Sequence, residues 1–434
     1  MNQIRILIEE LNTLPQGSIS EKKIKGKTYY YHQFKQNGKL VSKYLKQHEI
    51  EEFKRLIARR KEVEEEIKKI ELSGRNMKKP SKRSRDLTGD LMMEDEVVAS
   101  FENGVLNYID EHKCPLLIKR TGNIYSFLAA RAIDRDRTHS RLLKKYLNVI
   151  EEDDAMVSIY SYGATITDNY WFKAKGSKLK FKDIAFEFDY YSDLVLKGDA
   201  AYIPKSPKHS PQLTLNGSYE KCWKLIDGSW YLYKQGNDNE IFSELVCSKI
   251  AELLGIPTAV YEYDDGYIRT KNIAEEYNLE PVSSIAGDDD SFMNVFNSIY
   301  KISDKIAVEY LSLILFDFIV YNVDRHNENC GLFRDKQSGE IIGLAPNYDN
   351  NIALLSGTSN LKFNANHDGL ASYLKKFLHD CPEAAVLLKE VKFNELRAED
   401  IQKVFDSIVI KRDEELIKTY ILDRYNYICN LLYN

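Results

Sequence analysis

The chain has 434 residues, of which 43% are hydrophobic, 12% aromatic and 29% charged, with a net charge of −5. That length suits roughly two to four domains with sizeable cores. The longest apolar run, around 311–321, is broken by Asp317 and is shorter than the ~18–20 residues of a membrane span. The opening MNQIRILIEE carries acids where a signal peptide would be apolar. The six cysteines are far apart and form no CxxC pair, which fits a reduced cytoplasmic protein without a zinc knuckle. The charge is uneven. Residues 1–85 hold 22 Lys and Arg against 11 Asp and Glu, and the remainder holds 39 against 55. A basic front end on an acidic body suggests separate partners for the two parts.

In chain order, 15–47 reads as a small β element. KTYYYHQF is rich in strand formers, Asn37-Gly38 signals a hairpin turn, and KLVSKYL returns. From about 47 to 72 apolar residues fall on one stripe, as in a long helix. GRNMKKPSKRSR, at 74–85, is polar, basic and proline-containing, as linkers are. The expected units are a basic module at 1–75, a linker at 76–90 and a mixed region at 91–205. Within the last, Arg131–Asn148 is helical in pattern and MVSIYSYGATI, from Met156, alternates like strands. A β-rich stretch from Cys222 to Lys234 turns at Asp227-Gly228, and a helix over 239–254 ends at Gly255 and Pro257. These two elements fall in a segment expected at 206–265. Residues 305–320 form a buried helix, and helical patterns dominate from Gly369 onward, within a final unit at 266–434.

The chemistry concentrates in Tyr321-Asn-Val-Asp-Arg-His-Asn-Glu-Asn-Cys330. Asp324 and Asn329 have the D-x-x-x-x-N spacing of a protein-kinase catalytic loop, where the Asp takes the acceptor proton and the Asn oxygen helps hold Mg²⁺. Asp349 follows a second strand, EIIGLAP, and supplies the other hard oxygen ligand that Mg²⁺ requires. Upstream, Trp230-Tyr-Leu-Tyr-Lys234 alternates as a strand, and Lys234 stands where kinases place an ATP-binding lysine. Glu244 on the next helix can pair with it, as can Glu240 one turn earlier. His326 reads as a brace for the loop. Arg131–Arg137 and Asp168-Asn-Tyr-Trp171 read as ion pairs and aromatic anchors.

NVDRHNEN, APNYD at 345–349 and ELVCSKIAELLGIP at 244–257 together resemble the HipA family of serine/threonine kinases from bacterial toxin–antitoxin systems. The last stretch matches the helix whose leading acid is Glu244. Gly217-Ser-Tyr-Glu-Lys221 resembles the family's Gly-x-x-x-Lys phosphate loop, and RAIDRDRTHSRLLKK and TDNYWFK resemble its single-chain members. The resemblance spans about 90–430. It implies an α+β, two-lobed kinase-like fold with a mostly helical C-terminal lobe. It further implies ATP and Mg²⁺ as cofactors, and transfer of phosphate to a protein hydroxyl. Gly217 and Lys221 would join Lys234 and Glu244 in holding nucleotide, and autophosphorylation would fall at Thr214 or Ser218. Family targets include aminoacyl-tRNA synthetases, and an antitoxin protein is an implied partner. The chain departs from the family in having Tyr219 for the usual Gln and Thr214 for the usual Ser.

Lysines interleaved with aromatics over residues 20–85 make nucleic acid a candidate partner of the front module. Two other functions share parts of these motifs. A phosphoinositide-type lipid kinase also uses D-R-H-x-x-N, though an acidic body suits a membrane surface poorly. A non-catalytic nucleotide-binding regulator would not require the whole set of Lys234, Asp324, Asn329 and Asp349.

Overall fold

A computed structural model describes residues 7, 10, 11, 13–24, 26–36, 39–73, 87–149, 153–198, 209–217, 219–354 and 363–433. The basic front end forms a three-stranded antiparallel sheet, β1 (Ser18–Ile24), β2 (Lys27–Gln36) and β3 (Lys39–Leu45), in the order β1-β2-β3. Strands β2 and β3 pair as far as Gln36 and Lys39, around the expected Asn37-Gly38 turn, whose two residues lie outside the described set. The expected hairpin thus has an additional strand. SISEKKI lacks the aromatic signal of its neighbours but pairs with β2 along its whole length. Helix α1 (Ile50–Ser73) covers the face bearing His32 and Phe34, and Phe53 sits 5.1 Å from the His32 ring. Leu11, Leu14 and Val63 are buried together, and Phe188 joins this cluster from the body of the chain. The expected linker at 74–85 lies outside the described residues.

The body begins earlier than the 76–90 linker assignment allows. Leu87 O accepts from Gly104 N at 3.0 Å, and strand β4 (Gly89–Met93) starts two residues later. With β5 (Glu96–Glu102), β6 (Val105–Tyr108) and β7 (Tyr170–Ala174) it makes a sheet of order β6-β5-β4-β7. The alternating segment from Met156, expected as strand, is instead helical, in α2 (Asp154–Ile159). Asp153 decides this by accepting from Met156 N at 3.1 Å as an N-cap, while Ala155, Val157 and Ser158 are buried. A short alternation cannot outweigh a capped turn with a buried face.

The third sheet has the order β10-β11-β9-β8. Strands β8 (Lys221–Ile226) and β9 (Ser229–Lys234) are joined by Asp227 and Gly228, at φ +48° and +84°. Both residues of such a two-residue hairpin loop need positive φ. Helix α3 (Asp238–Leu254) follows, opened by a capping box between Asn237 and Glu240 and closed by Gly255 at φ +80°. Strands β10 (Tyr261–Asp264) and β11 (Tyr267–Lys271) complete the sheet, which therefore runs past the boundary expected at 265.

Strands β12 (Tyr277–Pro281), β13 (Gly331–Asp335) and β14 (Ile341–Leu344) form the fourth sheet. Between β12 and β13 lies α4 (Asp304–Val320), buried on nearly every side as its largely apolar composition requires. The largest apolar cluster surrounds α3 and α4 and takes in α5 (Gly369–Asp380), α6 (Ala398–Asp406) and α7 (Glu414–Tyr433). The second sheet is tied to the fourth by buried polar groups. Arg334 pairs with Glu280 at 2.6 Å and donates to Tyr170 OH and to the carbonyls of Cys114, His112 and Gly339. Asn169 and Asn278 exchange hydrogen bonds at 2.9 Å.

The front module covers the body through Phe188, so a chain beginning at residue 87 is expected to unfold cooperatively. It should lose only about 1–2 kcal/mol, the scale of uncovering one aromatic ring. Urea unfolding followed by far-UV circular dichroism checks this. A non-cooperative melt would show that the module belongs to the body's folding unit.

Candidate active site

A cavity of about 440 Å³ opens between the third sheet and the loops that follow α4 and β14, and Gly217, Lys221, Lys234, Asp324, Asn329 and Asp349 all line it. Six residues chosen from sequence spacing and resemblance are thus brought to one place. Glu244 stands behind them, fully buried.

Each side chain has a local reason for its position. Lys234 ends β9 and reaches across to α3, where its Nζ lies 3.1 Å from Glu244 Oε1. The same Nζ is 2.8 Å from Asp349 Oδ1 and 3.4 Å from Tyr261 OH. Glu240, the other candidate partner, is committed elsewhere. Its Oε2 accepts from Asn237 N in the capping box, and its Oε1 accepts from Tyr219 OH at 3.2 Å. The second oxygen of Glu244 accepts from Asn350 N, which fastens the loop after β14 to α3. Asp349 adopts φ +63°, a left-handed conformation that Asp tolerates better than most residues.

Lys221 and Lys234 are directly opposed across β8 and β9. Like charges in this position repel, and Asp349 is the carboxylate that offsets them. Burial, together with the Lys234 and Arg137 charges, drives Lys221 down to about 8, against the opposing pull of Asp349. Lys234 goes the other way. Burial would lower it, but Asp349, Tyr261 and Glu244 overcome that and hold it well above its usual value. Burial acts to raise Asp349, yet Lys234 and Lys221 bring it to about 2. Asp324 is raised, chiefly by burial, with Asp349 adding to it and His326 opposing. Two carboxylates in one cavity are therefore pushed apart, one firmly ionised and the other a readier proton acceptor.

Gly217 has φ +105°, and a β-carbon on it would lie 2.3 Å from Lys221 Nζ. The missing side chain is what lets the lysine lie over the loop. Arg137, buried, holds the two ends of that loop by donating to Leu215 O at 3.0 Å and to Lys221 O. Thr214 is buried, its Oγ1 donating to Ala164 O at 2.6 Å. Ser218 lies outside the described residues.

The D-x-x-x-x-N spacing of Asp324 and Asn329 is maintained by Arg325, a residue the motif contains but to which spacing assigns no task. Its buried guanidinium pairs with Asp317 at 2.8 and 2.9 Å. It also donates to Asn329 O at 2.5 Å, Tyr348 O at 2.7 Å, Asn347 Oδ1 at 2.7 Å and Asn350 Oδ1 at 2.9 Å. One side chain thus joins α4, the loop of Asp324 and Asn329, and the loop of Asp349. Asn329 Nδ2 donates to Asp324 O at 3.1 Å, committing the amide nitrogen and leaving Oδ1 for a cation. His326 Nδ1 accepts from Glu328 N at 3.2 Å, a bracing contact as expected. Arg131 and Asp168 form a buried bidentate ion pair at 3.1 and 2.7 Å, as read from the sequence. The oxygens of Asp349 and Asn329, beside two cationic lysines, suit a hard divalent cation carrying an anion.

Residues 2–55 match a family described as a domain of unknown function, DUF6788. No curated protein matches the chain. Among solved structures, the HipA toxin–antitoxin system of Shewanella oneidensis MR-1, in its complex with HipB and operator DNA, superposes with a TM-score of 0.53 at 14% identity. That match covers 79% of this chain and 99% of the other. The Helicobacter pylori proinflammatory kinase CtkA has a TM-score of 0.39 at 16% identity, covering 50% of this chain and 92% of its own. The chain is therefore similar in fold to HipA, a mixed α/β architecture of several sheets and helices. Among the described residues no helix is long and apolar enough to cross a membrane.

Asp317→Ala would leave the Arg325 guanidinium buried without its carboxylate. The expected loss is about 3–5 kcal/mol of stability, measured by urea unfolding. A loss below about 1 kcal/mol would show that the carbonyl and amide partners alone sustain Arg325.

Proposed function

We propose that this chain is an ATP- and Mg²⁺-dependent serine/threonine protein kinase of HipA type with a two-lobed catalytic body. The observation that carries the proposal is Lys234, held between Glu244 and Asp349 in a cavity that also contains Asp324 and Asn329. In this reading Lys234 and Lys221 receive the nucleotide phosphates, and Gly217 allows the backbone of their loop to come close. Asp349 and Asn329 would hold Mg²⁺, which neutralises charge on the phosphates when bound. Asp324 accepts the proton of the protein hydroxyl as its oxygen bonds to the γ-phosphorus. The bond to the β–γ bridging oxygen breaks and ADP leaves. The raised affinity of Asp324 for a proton suits this task, and the depressed value of Asp349 keeps a carboxylate ready for the cation.

The substrate is proposed to be a protein of the translation apparatus, such as an aminoacyl-tRNA synthetase, and the physiological role a toxin or a stress or defence effector with an antitoxin partner. Autophosphorylation at Thr214 would require its segment to leave the body, because the hydroxyl is committed to Ala164 O.

Asp324→Ala is expected to abolish phosphoryl transfer while leaving Mg·ATP affinity nearly unchanged, and Asp349→Ala to weaken Mg·ATP binding as well. Calorimetric titration and initial rates with radiolabelled ATP separate the two, and full activity in the Asp324 variant would end the mechanism. The site should also take up a proton with the nucleotide. Lys221 loses its proton as pH rises through about 8, and incoming phosphate restores it, so ATP affinity should fall between pH 7 and 9, by at most about tenfold per unit. Titrations at pH 8 in two buffers of different ionisation enthalpy should give different heats for the native chain and equal heats for Lys221→Met. Equal heats for the native chain would refute the assignment.

A further inference from the structure

The face of the front sheet opposite α1 has no task in the kinase reading. Residues 30, 32 and 34 of β2 face the helix, as the His32–Phe53 contact establishes, so Tyr29, Tyr31 and Gln33 face outward. The register brings Tyr44 beside Tyr31 and Lys22 beside Tyr29 on that outer face. The three tyrosines form one group, with ring centroids of Tyr44 5.7 Å from Tyr31 and 6.2 Å from Tyr29. Lys22 Nζ lies 5.0 Å over the Tyr31 ring. Tyr44 is 51% exposed, and Lys22 and Lys27 are exposed beside it. Among the described residues, no carboxylate occupies a strand position on this face; the sheet's acid, Glu21, pairs with Tyr30 on the other. Residues 18–46 carry eight lysines against that one acid.

Three observations select the occupant. Lysines without carboxylates call for a polyanion, which the acidic body would repel. Clustered tyrosines on an open sheet offer flat rings to bases, and bases have free faces only when unpaired. Gln33 and Ser42 share the face, and side chains that both donate and accept beside the rings suit 2′-hydroxyls. We infer that the outer face of the front sheet binds single-stranded RNA, with bases stacked on Tyr29, Tyr31 and Tyr44 and phosphates met by Lys22 and Lys27. The site is separate from the cavity of Lys234 and Asp324, and its test does not depend on kinase activity.

The test uses the full chain and a fluorescein-labelled oligouridine about 12 nucleotides long, followed by anisotropy across about 50–200 mM NaCl. Oligothymidine and a duplex RNA of the same length serve as comparisons. Oligouridine should bind most tightly, with affinity falling linearly in log salt. The pair Tyr31→Ala and Tyr44→Ala should weaken binding by about tenfold or more, while Tyr31→Phe with Tyr44→Phe should retain it. Lys22→Ser, at an exposed position, should reduce the salt slope by about 0.7. Should the alanine pair fail to fold by circular dichroism, Tyr44→Ala alone, also exposed, decides by the same criterion. No binding at the lowest salt, or alanine variants that bind as well as the native chain, would overturn the site. Thymidine bound as tightly as uridine, or duplex bound more tightly, would overturn the assignment to single-stranded RNA.

Discussion

The candidate active site depends on one buried ion pair. Arg325 and Asp317 lie eight residues apart, on either side of the point where α4 ends at Tyr321 in a left-handed conformation. The pair turns the chain back against its own helix, and the remaining donors of Arg325 gather Asn329, Asn347, Tyr348 and Asn350 around it. A buried pair of this kind contributes little net stability compared with apolar residues of the same volume. What it supplies here is position. Two loops are held in register chiefly by a planar group with donors at fixed angles, with Asn322 to Asn350 and Tyr348 to Glu328 adding further bonds between them.

The polar residues of the cavity divide the labour in a similar way. The opposed lysines of β8 and β9 would be unfavourable in an ordinary sheet, and Asp349 offsets them. The carboxylate needs its left-handed backbone and the lysines need Gly217, so strained positions and charged groups coincide. Such coincidence is common where a site is arranged for a ligand and not for stability alone.

Much of this was legible in the sequence, for reasons that can be named. Helix α3 announces itself by Asn237 and Gly255, and the β8–β9 hairpin by Asp227-Gly228. Asp324, Asn329 and Asp349 were found because their spacing is local. What escaped depends on contacts distant in sequence. Arg137 braces a loop roughly 80 residues away, and Arg334 ties the second sheet to the fourth across more than 200. No periodicity carries such information. The choice between Glu240 and Glu244 was likewise undecidable from spacing, since both lie on one face of α3. It was settled by which of them closes the capping box. Strand β1 was not singled out within the β element expected at 15–47, and helix α2 was read as strand, because a short alternation resembles strand, loop and capped turn about equally.

The two oxygens of Glu244 have a consequence for control. One holds Lys234 and the other holds Asn350, and α3 itself is packed against α6, with Phe242 5.8 Å from Phe405. In protein kinases, activity is controlled by the position of the helix that carries the lysine's glutamate partner. Here an outward movement of α3 would also release the loop of Asp349 and open an apolar seam, so it would disrupt more than the lysine contact. In the kinase reading proposed above, control would fall instead to whatever admits or blocks ligands at the cavity that Tyr219 and Gly217 help to line.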